Sequence, residues 1–271
     1  FEAVDIMLPH DLHESSALAC FDAGKHVLLE KPMAHSLESA ERILEAGNKV
    51  DTVFMIAEQA QYWTDVVKAR ELMDAGAIGE VISASGNFYD RVVIDADAPP
   101  PWRYTLAVSG GGLTIDGGAH WIRPLRMMMG EVDEVIGVAG HHLPRMEGES
   151  WSRMLMKFQN GSVGVLTCQN VMHASGPTDM FRVTGTGGEI QITGGRDGQL
   201  ILFNKDNPRG ESIMNAVEGK MNSYGAEIKD FCEVVLDGTT MAAPPEYSLG
   251  EFRTAQALYK SIESGRWEKV W

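Results

Sequence analysis

The sequence has few cysteines, few positive charges and no long apolar run. Its three cysteines, Cys20, Cys168 and Cys232, are far apart, so they form neither a disulfide framework nor a zinc-binding spacing. No apolar stretch approaches the ~20 residues of a membrane span. With 38 acidic against 23 basic residues, the net charge of −15 argues against nucleic acid or an anionic membrane as the main partner. We therefore expect a cytoplasmic protein without nucleic-acid or membrane partners.

The sequence also lacks the Gly-x-Gly-x-x-Gly turn that binds the pyrophosphate in dinucleotide-binding domains. The most tempting stretch, Gly185-Thr186-Gly187-Gly188-Glu189, has strand-like residues on both sides. A phosphate-binding turn has a strand before it and a helix after it. This stretch is therefore predicted to be a hairpin turn.

The first sixty residues alternate between strand-like and helix-like segments. Short apolar runs at 3–8, 26–29 and 52–56 are separated by helical patterns at 12–23 and 37–49. This alternation predicts half of a doubly wound parallel sheet, whose ligands bind beyond the carboxyl ends of the strands. Pro9-His10, Glu30-Lys31-Pro32 and Glu58-Gln59 come directly after the three strands.

The remainder of the chain is predicted to form an α+β domain. A helix over 64–75 precedes strands at about 80–89, 134–140, 151–159, 162–172, 180–185, 189–193 and 200–203, and helices at 224–236 and 249–264 follow. Asn160-Gly161 is a strong hairpin signal. The predicted fold is α/β: a partial Rossmann sheet over residues 1–60, then an α+β domain over 61–271 with a large, open, mainly antiparallel sheet.

A glycine-rich segment, residues 110–120, contains the most suggestive pair of polar side chains. If a helix runs through it to about residue 129, Asp116 and His120 lie on one face and can touch. Gly117 and Gly118 between them would let a ligand approach the backbone. An acid–base pair, a surface ion pair and half of a zinc site all fit this spacing, but the sequence offers no convincing further zinc ligands.

Lys31 is the second candidate. It follows a parallel strand, lies beside Glu30, and is restricted to extended geometry by Pro32. This placement fits a group at the ligand crevice, although an ordinary strand-to-helix turn has the same pattern.

Together these residues resemble the Gfo/Idh/MocA family of oxidoreductases, the glucose-fructose oxidoreductase and inositol dehydrogenase group. The matching pieces run through nearly the whole chain. They are Pro9-His10…His13, Glu30-Lys31-Pro32, Glu58-Gln59…Tyr62, Gly76…Ile78-Gly79-Glu80-Val81, Trp102-Arg103, Gly110-Gly111-Gly112, Asp116…His120, Gly185-Thr186…Gly188-Glu189 and Tyr224…Glu227-Ile228…Phe231.

The resemblance implies a Rossmann domain that binds NAD or NADP, and a second domain whose open sheet forms a dimer or tetramer. It also implies the site residues. The catalytic group would be Lys31, Asp116 and His120, which with Tyr224 would also bind the substrate. The cofactor would be held by Pro9, His10, His13, Glu30, Lys31, Gln59, Trp102 and Arg103. The resemblance further implies that the family's first βαβ segment, with its glycine-rich turn, precedes Phe1. At position 10, histidine replaces the family's more usual asparagine.

The implied reaction is hydride transfer between the nicotinamide and a secondary hydroxyl of a sugar, anhydrosugar or polyol. In this hypothesis His120 takes the hydroxyl proton, Asp116 orients the imidazole, and Lys31 stabilises the developing alkoxide. The alternatives are an NAD-dependent glycosidase of the same family, a non-catalytic dinucleotide-binding regulator, and a zinc hydrolase using Asp116 and His120.

Overall fold

The computed structural model describes residues 1–92, 97–173, 179–195, 197–215 and 219–271. These residues form two sheets, one of three parallel strands and one of nine strands that are mainly antiparallel. The first sheet contains β1 (Ala3–Ile6), β2 (His26–Glu30) and β3 (Phe54–Ala57), in that order. Both of its strand pairs are parallel. The predicted partial Rossmann sheet is therefore confirmed, and its three carboxyl ends lie side by side.

Helices cover both faces of this sheet. On one face, α1 (His13–Asp22) and α2 (Leu37–Gly47) pack against Val27 and Leu29. On the other face, the alternate residue Leu28 packs against α6 (Gly219–Asp237) through Phe231. A helix that belongs to the predicted second domain thus completes the first domain's layers. The domain boundary after residue 60 stays a prediction.

The second sheet contains nine strands with one parallel pair. They are β4 (Val81–Arg91), β5 (Val132–Gly140), β6 (Trp151–Phe158), β7 (Val163–Val171), β8 (Asp179–Gly185), β9 (Gly188–Thr193), β10 (Gln199–Asn204), β11 (Glu211–Asn215) and β12 (Glu268–Lys269). Their order is β11-β10-β9-β8-β4-β7-β6-β5-β12, and among the described strands only β4 and β7 pair in parallel. The predicted mainly antiparallel sheet is confirmed, and so is the hairpin between β8 and β9. The short strands β11 and β12 were not predicted.

Three helices and a buried ion network position the active-site elements. The helices are α3 (Thr64–Asp74), α5 (Ala119–Met129) and α7 (Leu249–Ser264). Arg123 and Arg126 of α5 both bind Glu251 of α7, with Arg123 Nε 2.5 Å from Glu251 Oε1. All three side chains are at least 94% buried. Because these charges satisfy one another away from water, they fix the position of α5 relative to α7.

The predicted helix through residues 110–129 is wrong in its first half. A single helical turn, α4 (Leu106–Ser109), ends at Gly110, and turns continue until α5 begins at Ala119. The buried Glu149 carboxylate holds this turn region by accepting from the backbone N–H groups of Gly112 and Thr114 at 2.9 and 2.8 Å. Asp116 therefore lies in a turn and His120 in the first turn of a helix, so they do not share a helical face.

None of the helices in the described residues is both long and apolar enough to cross a membrane.

Candidate active site

A cleft of about 350 Å³ lies at the carboxyl ends of the three parallel strands. Each strand end contributes polar side chains, and the loop before α4, the start of α5 and helix α6 close the cleft. Its lining comprises Met7, Leu8, Pro9, His10, Glu30, Lys31, Gln59, Trp102, Arg103, His120 and Tyr224. Most of the predicted site residues are thus brought together, with His13 and Asp116 as the exceptions.

His120 is held between a carboxylate and an amide. Its Nδ1 lies 2.7 Å from Glu58 Oε1, and the Glu58 side chain is only 3% exposed. Its Nε2 lies 3.4 Å from Gln59 Nε2, which also donates to the Tyr224 hydroxyl at 3.2 Å. A carboxylate accepts and an amide nitrogen donates, so both neighbours favour the tautomer with hydrogen on Nδ1 and a lone pair on Nε2. The atom free to accept a proton is therefore Nε2.

The expectation that Asp116 orients His120 is wrong. Asp116 instead pairs with Lys31, whose Nζ donates to Oδ1 at 2.8 Å and to the Asp116 carbonyl at 3.0 Å. Its other oxygen, Oδ2, accepts from Arg103 Nε at 3.0 Å. The physical reason is the turn at residues 110–118, which directs Asp116 towards the end of β2. The partner of the imidazole is Glu58, at the end of β3.

Three charged groups of the site, Lys31, Asp116 and Glu58, are held in their ionised forms. Burial opposes the charge of Lys31, but the carboxylates of Asp116, Glu58 and Glu30 outweigh it and raise the pKa of Lys31. Burial also opposes the charge of Asp116, but Lys31 and Arg103 hold its pKa below the ordinary range. For Glu58, burial is outweighed by His120, Arg123 and Lys31, and its pKa falls to about 2. At neutral pH Lys31 therefore keeps its proton, and Asp116 and Glu58 remain deprotonated.

The glycines of the turn region allow close packing against protein. At Gly112, an added Cβ would meet the backbone of Glu149 within 2.4 Å. At Gly118, it would lie 2.4 Å from the Thr114 carbonyl oxygen, and at Gly117 it would meet the Phe88 ring at 2.3 Å. The expectation that Gly117 and Gly118 admit a ligand is therefore wrong, because protein atoms already occupy that space.

His10 and His13 have different positions. His10 lines the cleft, stands edge-on to the Trp102 ring with centroids 4.7 Å apart, and has Nδ1 2.9 Å from the Ser109 carbonyl oxygen. Burial lowers the pKa of His10 to about 4, so it is neutral. His13 is fully buried, with its ring nitrogens 2.9 and 3.1 Å from the carbonyl oxygens of Leu8 and Pro32. His13 therefore does not line the cleft but ties together the loops after β1 and β2, and its contact with a cofactor stays a prediction.

Glu58 is the functional candidate that sequence reasoning missed. In the sequence it is only part of Glu58-Gln59 after the third apolar run, and its partner His120 lies 62 positions away. The available signal is a carboxylate directly after a buried strand, because a charge that becomes buried there requires a partner.

No group of three or more His, Cys, Asp and Glu side chains within the described ranges is arranged to hold a metal ion. Nothing in those ranges therefore supports the zinc hydrolase alternative.

Comparison with known protein families gives two matches, which together span most of the chain. Residues 1–58 match the oxidoreductase family with an NAD-binding Rossmann fold. Residues 66–191 match the GFO/IDH/MocA C-terminal domain. The two matches follow the same order as the two sheets.

Curated relatives include levoglucosan dehydrogenase of Pseudarthrobacter phenanthrenivorans, 26% identical over 82% of this chain and 63% of that enzyme. The myo-inositol 2-dehydrogenase of Thermotoga maritima is 27% identical over 99% of this chain and 80% of its own length. The chain thus spans less than two thirds of the first of these relatives.

Solved structures agree with the fold. Levoglucosan dehydrogenase in complex with NADH and levoglucosan superposes with a TM-score of 0.90 at 23% identity, covering all of this chain and 80% of that one. An oxidoreductase from Thermotoga maritima superposes with a TM-score of 0.84 at 28% identity, covering 99% and 78%. One family match covers the first sheet and the other covers the second sheet as far as β9, and the solved structures share this fold. The chain therefore belongs to the GFO/IDH/MocA family of oxidoreductases.

Proposed function

We propose that this protein catalyses reversible hydride transfer between NAD or NADP and a secondary hydroxyl of a sugar, anhydrosugar or polyol. The observation that carries the proposal is the convergence of Lys31 and His120 on one cleft at the ends of parallel strands. Relatives named as levoglucosan, myo-inositol and D-xylose dehydrogenases support the substrate class.

The lining of the cleft fits the nicotinamide end of such a cofactor. The Glu30 carboxylate can accept hydrogen bonds from ribose hydroxyls, the Gln59 amide can hydrogen-bond a carboxamide, and the Trp102 ring with Arg103 4.2 Å above it forms one wall. Pro9 and His10 complete this set of proposed cofactor contacts. When bound, the nicotinamide would accept the hydride during oxidation and return it during reduction.

Oxidation of the alcohol requires a base for the hydroxyl proton as its C–H hydride leaves. Lys31 is held as an ammonium, and Asp116 and Glu58 are held as weakly basic carboxylates. Among the described polar groups of the cleft, His120 Nε2 is the atom suited to this step, because imidazole takes up and releases protons near neutral pH. In reduction the same atom returns the proton to the carbonyl oxygen.

Lys31 would stabilise the oxygen whose negative charge develops. An ammonium that is already positioned and partly desolvated stabilises such charge without reorganising during the reaction. Asp116 holds this ammonium through two contacts, its carboxylate and its own carbonyl. We therefore assign Lys31 and His120 as catalytic residues, Asp116 as the residue that positions Lys31, and Tyr224 as a substrate contact beside Gln59.

The proposal is tested by assaying the full-length protein for reduction of NAD and NADP with a panel of sugars, anhydrosugars and inositols. His120→Ala and Lys31→Met should each lower kcat by at least 100-fold with the best substrate, since general acid–base catalysis alone contributes about 10²–10⁴. Lys260→Met, at an exposed lysine of α7, is the matched control and should keep wild-type kcat. Near-normal kcat in either cleft variant would refute its assigned role.

A glycosidase that oxidises its sugar transiently uses the same groups. It would release sugar from a glycoside without net reduction of the cofactor, and the same assay reports this outcome. Binding of cofactor without turnover across the panel would instead favour a regulator.

We also propose that the open face of the second sheet joins two copies of the chain. Apolar side chains on this face remain exposed, among them Leu155 and its cross-strand neighbour Val165, at 49% and 40%. Trp267 borders the same surface. A contiguous exposed apolar patch of this kind marks an interface. Light scattering after size-exclusion chromatography should give a dimer or tetramer, and Leu155→Lys should reduce it to a monomer; a wild-type monomer would refute the proposal.

A further inference from the structure

A second cleft, of about 310 Å³, lies on the far side of Asp116 from Lys31. Its floor is the carboxyl end of β4 and β7, the one parallel pair among the described strands of the second sheet. Asp90 and Asn170 are directly opposite each other in this pair and both line the cleft. Its remaining walls combine apolar and polar groups: Val92, Ala98, Pro99, Pro101, Arg103, Tyr104, Gly112, Leu113, Asp116, Arg145 and Met146.

Asn170 carries an unused hydrogen-bond acceptor. The residue is 4% exposed, and its Oδ1 has no partner within the described part of the chain. A buried amide oxygen without a partner is destabilising, so a built-in donor would be expected if the site served packing alone. Asp90 beside it forms no ion pair with any described residue, and burial raises the pKa of its carboxyl. Asp90 and Asn170 thus place two acceptors side by side in the lining of the cleft, and the Asn170 oxygen is buried and unpaired among the described residues.

The second cleft shares part of its wall with the first. Arg103 lines both. Asp116, which lines the second cleft, binds Lys31 of the first through Oδ1 and Arg103 through Oδ2. One carboxylate therefore separates Lys31, which is assigned to the reacting oxygen, from the second cleft. A substrate that reacts at Lys31 reaches the second cleft if it extends past this carboxylate.

We infer that the second cleft is a binding site for a further hydroxylated ring of the substrate, so that the substrate is a saccharide or glycoside of at least two rings. Sugar hydroxyls donate to acceptors such as Asn170 Oδ1 and the Asp90 carboxylate, while Tyr104 and Arg145 can donate to sugar oxygens. The ring's C–H face suits the apolar walls formed by Pro99, Pro101 and Leu113. Pockets for small ligands have this combination of apolar walls and a few placed polar groups. This inference rests on the proposed reaction at Lys31 and His120 in one respect, because that reaction determines which ring of the substrate lies at Lys31 and which extends into the second cleft.

The test compares two-ring and one-ring sugars on the full-length protein and on Asn170→Ala. Maltose, cellobiose and glucose serve as probes, by calorimetric binding without cofactor and by kcat/KM with cofactor. For wild type we expect maltose or cellobiose to bind at least tenfold more tightly than glucose. Asn170→Ala should weaken that two-ring sugar by about 5- to 10-fold, as for the loss of one buried hydrogen bond, and should leave glucose within twofold.

The matched control is Gln169→Ala, the adjacent position of β7. Because side chains alternate along a strand, Gln169 faces the other side of the sheet, where it binds Arg153 at 3.2 Å. This variant should leave all three sugars unchanged. Equal loss for one-ring and two-ring sugars in Asn170→Ala, or equal wild-type affinity for them, would overturn the inference.

The binding measurement separates this inference from the proposed reaction. If two-ring sugars bind with the predicted dependence on Asn170 but are not oxidised, the second cleft stands and the proposed reaction fails. If glucose turns over as well as maltose and cellobiose in wild type and Asn170→Ala alike, the reaction stands and the second cleft fails. A change in NADH affinity alone would assign the cleft to the cofactor and also overturn the inference.

Discussion

Replacing Glu58 by glutamine tests which carboxylate supports the imidazole. The amide oxygen can still accept from Nδ1–H of His120 and from the Ala60 N–H, which lies 2.9 Å from Glu58 Oε1. Only the negative charge is lost. A hydrogen bond to a charged group is worth ~1.5–3 kcal/mol and a neutral one ~0.5–1.5. We therefore expect the protonated imidazole, which forms as the alcohol is oxidised, to lose about 1–2 kcal/mol of stabilisation.

That loss corresponds to a decrease in kcat of about 5- to 30-fold in the oxidative direction. The acid limb of the pH–rate profile should move to lower pH, because the carboxylate no longer favours the charged ring. The assay is steady-state cofactor reduction with the best sugar between pH 5 and 10. Thermal unfolding should confirm that the variant is folded.

Asp116→Asn is the comparison variant. It weakens the contact to Lys31 but leaves Nδ1 of His120 bound to Glu58, so kcat should fall without movement of the acid limb. Movement of the acid limb in Asp116→Asn, together with an unchanged profile in Glu58→Gln, would refute the assignment of Glu58 and restore Asp116 as the partner of the imidazole.

Three further predictions concern stability. Glu251→Gln removes the carboxylate that Arg123 and Arg126 share and leaves the buried Arg123 without an ion-pair partner among the described residues, whereas Arg126 keeps Glu131. Urea denaturation should therefore show a loss of about 3–5 kcal/mol, whereas Glu263→Gln on the exposed side of α7 should change stability by less than ~0.5 kcal/mol. His10 has a pKa of about 4 in the folded protein, below its ordinary 6.5, so between these pH values the unfolded chain binds more protons. The free energy of unfolding should therefore fall by up to about 3 kcal/mol as the pH drops from 6.5 to 4. A His10→Asn variant that keeps the full wild-type pH dependence would contradict this. Gly112→Ala forces a Cβ against the backbone of Glu149 and should lower the free energy of unfolding by more than ~2 kcal/mol. Gly225→Ala in α6, with open space around it, should instead raise the free energy of unfolding by up to about 1 kcal/mol.

Most regular elements could be predicted because their signals are local. The alternation of apolar runs in residues 1–60 is a property of neighbouring positions, and the predicted helix over 249–264 coincides with Leu249–Ser264. The two missed strands are exceptions. β12 has two residues and exists through pairing with β5, whose partner residues Val135 and Glu134 lie 133 and 135 positions earlier, so its own pattern is too short to indicate a strand.

The site was harder to predict because its contacts are long-range. The four-residue spacing of Asp116 and His120 predicts a contact between them only if both lie in one helix. The glycines that made the segment conspicuous are needed where it packs on Glu149 and Thr114, and the turns they form separate the two side chains. The positions of Lys31 and Gln59 at the ligand edge were predictable, since parallel strands align their carboxyl ends. The contact between Glu58 and His120 was not, because it depends on how α5 packs against the end of β3.

The catalytic role of His120 is tested most sharply by the kcat of His120→Ala beside that of the wild type, measured as reduction of NAD or NADP by the best sugar of the panel. We expect measurable cofactor reduction by the wild type and at least a 100-fold decrease in the variant, with sugar affinity largely retained. A His120→Ala variant that reduces the cofactor at the wild-type rate would show that His120 is not the base.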